Sequence, residues 1–293
     1  MKFGKKDLKA AESAPISFAK MHGLRNDFVI IENLDKHLRL SKEQIIRLCD
    51  RRDGIGADGL ILLEKEAQCA AQMRYYNSDG GAAQVCGNGL RCAAKYLFDR
   101  GIAPGAQFEI LCNGQRYGAE IVEKDTNGRV ALIDIQMGCV RFGLPESEEE
   151  AEPQEHTIAV GAKRIIFYAA EMPNPHAIVF VERIKKEMLV EIAAAFKSDA
   201  RYPEGVNVSL AEPFNAKEVK AITLERGSGI TDACGSAACA IGAAMYKKGL
   251  CGENIAVFMP GGKLEITLNM QGEKTSCAMC APAQSVYTGE IRL

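Results

Sequence analysis

The chain has 293 residues, 47% hydrophobic and 25% charged, an ordinary globular composition with room for two domains. Thirty-six basic side chains against 38 acidic leave a formal charge of −2, so charge gives no reason to expect nucleic acid or an anionic membrane as partner. No apolar run approaches the ~18–20 residues of a membrane span. The lysine-rich start lacks the apolar core of a secretory signal and carries Asp7 and Glu12, unlike a transit peptide. A cytoplasmic protein with a mobile tail over 1–15 is expected.

In chain order, β-branched runs bounded by turn residues predict strands at 28–33, 59–65, 108–113, 129–137, 164–172, 177–182, 220–227, 255–260 and 263–270. Apolar residues at helical spacing predict helices at 41–52, 89–100, 185–198 and 236–249. Strands outnumber helices about two to one without strict alternation, which reads as α+β with largely antiparallel sheets. The acidic, proline-containing stretch 145–156 is expected to be a loop.

One long-period repeat stands out. Cys86-Gly87-Asn88-Gly89 runs from a turn-rich segment into a helix, and Cys234-Gly235-Ser236-Ala237 does the same 148 residues later, about half the chain. Two similarly built domains follow, each with a cysteine at a helix N-terminus.

Eleven cysteines, odd in number and scattered, do not describe a disulfide scaffold, and a lone cysteine is ordinarily a small buried hydrophobe. Cys86 and Cys234 differ because the context recurs. A helix N-terminus carries partial positive charge and unpaired N–H groups, which favour a thiolate or hold a carboxylate. The glycine after each cysteine lets backbone approach a ligand closely. Two acid/base groups on opposite faces of one carbon can remove a proton on one side and return it on the other. Cys277-Ala278-Met279-Cys280 has redox-like spacing but no second pair at zinc-ligand spacing, so two packed thiols are expected. Polar residues gather at turns: Asn26, Asn77, Asn174 with His176, Asn207, and Glu225-Arg226. Together they offer amides, a carboxylate and a guanidinium suited to a small zwitterion.

The segments KMHGLRNDFVIIEN, GIGADGL, YYNSDGGAAQVCGNGLRCAAKYL, MPNPHAIVF, GVNVSL and LERGSGITDACGSAACA occur in this order. From about residue 16 to the C-terminus the chain resembles the diaminopimelate epimerase family. The resemblance implies epimerisation of LL-2,6-diaminopimelate to the meso form, in lysine and peptidoglycan biosynthesis. It implies no pyridoxal phosphate, no metal and no other cofactor, and a homodimer. It implies two pseudo-symmetric domains, each a largely antiparallel sheet or barrel around a central helix, with the site in the cleft between them. The domains are placed at 16–133, joined by the C-terminal strand 279–293, and at 134–278.

Matched by motif, Cys86 and Cys234 are the thiol–thiolate pair, with His176 and Glu225 as accessory residues. Asn26, Asn77, Asn174, Asn207, Glu225 and Arg226 match substrate-holding positions. Gly87-Asn88 and Gly235-Ser236 match the loops that hold the reacting carboxylate. Asn77, Asn207 and Arg226 would grip the distal end. The chain departs from the family pattern at Arg25 and Pro173, where glycine is usual, at Ile230 for glutamate, and at Ala237 for glycine.

The alternatives are a cofactor-independent racemase of the same fold acting on histidine or proline, a dehydratase lacking one cysteine, a non-catalytic binding protein, and a thiol-redox protein using Cys277 and Cys280. Retention of both cysteines and of Asn207 with Arg226 favours the epimerase. Two thiols meeting across a cleft could oxidise to an inactivating disulfide, so reductant is expected to be required.

Overall fold

A computed structural model describes residues 14–145, 147, 152–272 and 274–293. The expected tail lies outside these up to residue 13, as does part of the acidic stretch. The first half contains β1 (Ile16–Gly23), β2 (Asn26–Glu32), α1 (Lys42–Cys49), β3 (Gly59–Glu64), β4 (Ala71–Asn77), α2 (Gly87–Asp99), β5 (Gln107–Cys112), β6 (Gln115–Lys124) and β7 (Val130–Phe142). The second contains β8 (Glu155–Val160), β9 (Lys163–Met172), β10 (Asn174–Phe180), α3 (Lys186–Phe196), β11 (Asn207–Asn215), β12 (Glu218–Glu225), β13 (Gly229–Thr231), α4 (Gly235–Lys247), β14 (Asn254–Met259), β15 (Gly262–Gln271), β16 (Lys274–Pro282) and β17 (Gln284–Ile291).

Strand pairing draws two rings. In the second half, β9, β10, β11, β12, β14, β15, β16 and β7 follow one another and β7 returns to β9, a closed eight-stranded barrel. In the first, β1 through β7 pair in sequence; β7 joins β16, which runs through Ala283 into β17 and back to β1. The strands β7 and β16 therefore belong to both rings, and a division at 133/134 and 278/279 cuts through both.

The halves repeat with an offset of 148. Residues 26–32 of β2 correspond to 174–180 of β10, and 87–99 of α2 to 235–247 of α4. The pairing types repeat too: β2–β3 and β10–β11 are parallel across a helical crossover, as are β4–β5 and β12–β14. These four parallel pairs stand within an otherwise antiparallel architecture, as the sequence predicts. A parallel neighbour needs a long crossover, which α1, α2, α3 and α4 supply.

Each ring has a helix at its centre. Ten of the 13 residues of α2 are buried, and ten of the 13 of α4. A helix surrounded by sheet cannot keep a polar face, so α4 is nearly all Ala, Cys, Ile, Gly and Met. The Ala-rich composition also lets the barrel wall approach closely: a Cβ on Gly242 would lie 3.2 Å from Ile255 and 3.4 Å from Ile266. Helix α1 lies outside its barrel and holds its start with a Ser41–Gln44 capping box.

Candidate active site

The central helices point their N-termini at each other. A Cβ built on Gly87 would stand 2.7 Å from Cε of Met279, and one on Gly235 2.7 Å from its Sδ and 3.7 Å from the Gly87 Cα. Met279, fully buried on the shared strand β16, is wedged where α2 and α4 abut. The sequence reading gave those glycines to close approach of a ligand; close approach of the two helices requires them as well.

Cys86 and Cys234 are the N-cap residues of α2 and α4, both with extended backbone and neither capping through its side chain. Beside them opens a cavity of about 870 Å³. Its lining includes Asn26, Asn77, Cys86, Gly87, Asn88, Asn174, Asn207, Glu225, Arg226, Cys234, Gly235 and Ser236, drawn from both halves. Of the residues predicted from sequence, only His176 is not among them. It is completely buried on β10, opposite Asn207 of β11 in the parallel register. Burial lowers its pKa to about 4, against the pull of the Met172 backbone, so the ring is neutral at physiological pH.

The two thiols have different company. Cys86 Sγ lies 3.5 Å from Asn26 Oδ1, and the Gly89 and Asn88 N–H groups face it. Cys234 Sγ lies 3.4 Å from Ser236 Oγ, with the Ala237 N–H and the Glu225 carboxyl beside it. The helix-end donors lower both pKa values, as expected from sequence. Burial wins nonetheless, pushing Cys86 up to about 11 and Cys234 well above its usual range, with the Glu225 charge adding to both and ranking higher among the causes at Cys234. Both thiols are thus held protonated in this state, which corrects a reading based on the helix termini alone. Glu225 is itself raised by burial and accepts a hydrogen bond from Thr231 Oγ1.

The amides are tied down. Asn26 donates to Asp58 Oδ2 at 2.9 Å, and Asp58 shares Arg51 with Asp27. Asn207 Oδ1 accepts from the Arg226 backbone at 2.8 Å, while the Arg226 guanidinium donates to the Glu204 carbonyl at 3.2 Å. Asn88 donates across the halves to the Ala233 carbonyl at 3.0 Å. Sequence reasoning missed Arg91, Thr231 and Met279. Arg91 carried the one available signal, a guanidinium adjoining the apolar positions of a helix.

Cys277 and Cys280 are not a redox pair in geometry. Three residues apart on one strand, they point to opposite faces, Cys277 into the core towards the Cys239 carbonyl. Among the described residues no group of three or more His, Cys, Asp or Glu is placed to hold a metal, and no helix is long and apolar enough to cross a membrane.

Known proteins place this architecture. The family model described as diaminopimelate epimerase matches residues 18–142 and 168–289. The chain is 36% identical over 280 residues to a diaminopimelate epimerase of Geobacillus thermodenitrificans, covering 93% of this chain and 95% of that one. It is 34% identical over 282 residues to that of Leptospira biflexa, covering 95% and 99%. A hydroxyproline epimerase from Agrobacterium vitis, solved with trans-4-hydroxy-L-proline, superposes with a TM-score of 0.70 at 13% identity over 95% of this chain and 93% of that one. A Bacillus anthracis protein of the PhzF family gives 0.69 at 16%, over 96% and 100%. These two likenesses speak to the fold. On the agreement of family model and full-length relatives, the chain belongs to the diaminopimelate epimerase family and is an isomerase.

Proposed function

We propose that the protein interconverts LL- and meso-2,6-diaminopimelate by a two-base proton transfer between Cys86 and Cys234, without pyridoxal phosphate or metal, as a cytoplasmic homodimer in lysine and peptidoglycan biosynthesis. One observation carries the reading: two cysteines, each heading a buried central helix, flank one cavity where the helices meet. A carbon held between them presents one face to each thiol. One cysteine, deprotonated, takes the α-proton; the other, as thiol, returns one on the opposite face.

The α-proton is weakly acidic, so the step depends on stabilising charge that develops towards the carboxylate. In this reading the N–H groups following each cysteine, at Gly87-Asn88 and Gly235-Ser236, receive that carboxylate at the positive ends of two helices. Glu225 and Ser236 exchange protons with Cys234. Asn26 orients Cys86, and His176 supports the wall behind Asn207 and Asn174. Asn77, Asn207 and Arg226 hold the distal amino acid end. Substrate entry would exclude water from the developing charge and bring the α-ammonium group beside the thiols, a cation that favours the thiolate that burial disfavours.

The test is proton NMR of LL-diaminopimelate with enzyme and reductant in heavy water, with no pyridoxal phosphate added. Loss of the α-proton signal with growth of the meso form is the expected result. Retention of that signal, with exchange in proline or histidine instead, would move the chain to a racemase of another amino acid.

A further inference from the structure

Arg91, on the second turn of α2, is fully buried, and its Nε has no partner among the described residues. A guanidinium cannot neutralise by releasing a proton as a lysine can, so burying it without a facing carboxylate is costly. Its neighbours are thiols: Cys86, Cys92, Cys239 and Cys280. Packing around a central helix does not demand it, because the counterpart of Arg91 148 residues on is Cys239, equally buried in α4.

What Arg91 does touch is specific. Nη2 donates to Asn88 Oδ1 at 2.6 Å, and Nη1 lies 3.2 Å from Met279 Sδ, the wedge between the two helix starts. Arginine only donates, so the Asn88 oxygen must face it. The Asn88 amino group is thereby turned the other way, to two acceptors: the Ala233 carbonyl at 3.0 Å and Asn26 Oδ1 at 3.1 Å. Ala233 directly precedes Cys234, and Asn26 Oδ1 is also the partner of Cys86 Sγ at 3.5 Å. A single chain of contacts runs from the guanidinium to both cysteine loops.

We propose that Arg91 is a positioning residue of the two-cysteine site: by fixing the orientation of the Asn88 amide it sets Cys86 and Cys234 in register across the two halves. The proposal rests on the two-thiol reading above, but its test does not depend on which amino acid is the substrate. The charge has a second consequence. Around Cys86 stand Glu225 of β12, Tyr75 of β4, Cys112 of β5, Cys92 of α2, Cys234 and Arg91. Arg91 is the cation among them, so it favours the Cys86 thiolate.

The experiment compares wild type with Arg91→Met and Arg91→Lys. It measures steady-state kinetics and, without substrate, the pH profile of iodoacetamide alkylation at each cysteine by peptide mass spectrometry. In Arg91→Met we expect kcat to fall roughly 10–100-fold with KM within about threefold, the signature of misplaced reacting groups. The Cys86 profile moves alkaline by roughly one pH unit while Cys234 moves less. Arg91→Lys restores the charge and part of the profile without the two-point grip. A folded Arg91→Met with unchanged kcat and unchanged Cys86 profile overturns the proposal. If Arg91→Met does not fold, Asn88→Ala decides: loss of kcat supports the relay, and full activity overturns it. A protein inactive on diaminopimelate that still shows the Cys86 shift refutes the substrate reading and leaves Arg91 in its role.

Discussion

Cys86 and Cys234 head helices of identical length in matching barrels, yet most of the matched side chains around them differ. The 148-residue offset pairs Asn26 with Asn174, Asn77 with Glu225, Asn88 with Ser236 and Arg91 with Cys239. The second half keeps a carboxylate and a hydroxyl beside its thiol; the first keeps an amide chain backed by a buried guanidinium. The repeated backbone sets the geometry, and the side chains that differ between the halves distribute the charge. Pseudo-symmetry places one thiol from each half at the same cavity, while the charge difference sets how readily each one ionises. Cys86, faced by the Gly89 and Asn88 N–H groups and then by the Arg91 charge, is the more readily ionised; Cys234, on which Glu225 ranks second only to burial, is the less.

The largest effect comes from removing either thiol. Cys86→Ala and Cys234→Ala should each lower the epimerisation rate by roughly 10³-fold or more, because one base cannot serve both faces. The comparison sharpens if α-proton exchange is followed in heavy water for each epimer separately. The remaining thiol can still remove and return a proton on its own side, so each variant should exchange one epimer only, and the two variants opposite ones. Exchange of both epimers by either variant would show that a residue other than the missing cysteine serves that face.

Much of this was legible in the sequence. The four helices lie within three residues of their predicted bounds, because each shows an apolar stripe and a clear start. The repeat of Cys-Gly exposed the two halves. Less visible were β1, β4, β6, β8, β11, β13, β16 and β17. In β6, QRYGAEIVEK alternates, but charged residues on the open face dilute the signal. In β16, KTSCAMCAP reads as neither strand nor helix, yet it is the strand shared by both barrels and carries Met279. Closure of the rings depends on pairings between distant segments, such as β7 with β16, that no local pattern encodes. The balance between helix-end dipole and burial at the cysteines was equally hidden, since it depends on how much wall surrounds each thiol.

A second contrast concerns the walls behind the site. His176 and Phe28 are matched by the same offset, and both are completely buried. Phe28 does not titrate, whereas His176 has its pKa lowered from 6.5 to about 4. Its folded form stays neutral, while the unfolded chain binds a proton below about pH 6.5. Stability from this group is therefore complete above pH 6.5 and is lost as pH falls towards 4, by about 3 kcal/mol in all. Carboxylates contribute to acid unfolding too, so the test is a difference. Urea midpoints measured from pH 8 to pH 4.5 should fall less steeply in His176→Phe than in wild type. Parallel curves for the two proteins would mean that the histidine takes up its proton in the fold as readily as in the unfolded chain.

The smallest effect separates Arg25 from its counterpart Pro173. Leu24 and Arg25 form the two-residue turn between β1 and β2, with φ of 53° and 72°, the sign pattern of a type I′ hairpin, where glycine is favoured. A non-glycine residue in the left-handed region costs roughly 1–2 kcal/mol. Arg25 offsets part of this through its contact at 3.3 Å with Asp232, reaching from the first half to the residue two before Cys234. That pair is substantially exposed, which limits it to about 0–1 kcal/mol. Arg25→Gly relieves the strain, loses the pair, and adds roughly 0.5–1 kcal/mol of unfolded-chain entropy. These terms nearly cancel, so the net change in stability should lie within about 0.5 kcal/mol. Salt breaks the tie, because it screens an exposed pair and leaves backbone strain untouched. Arg25→Gly should gain in melting temperature relative to wild type as salt is raised from about 0.01 to 1 M. The gain should vanish when Asp232→Asn is the background. A salt response that persists in that background would place the partner of Arg25 elsewhere in the cavity mouth.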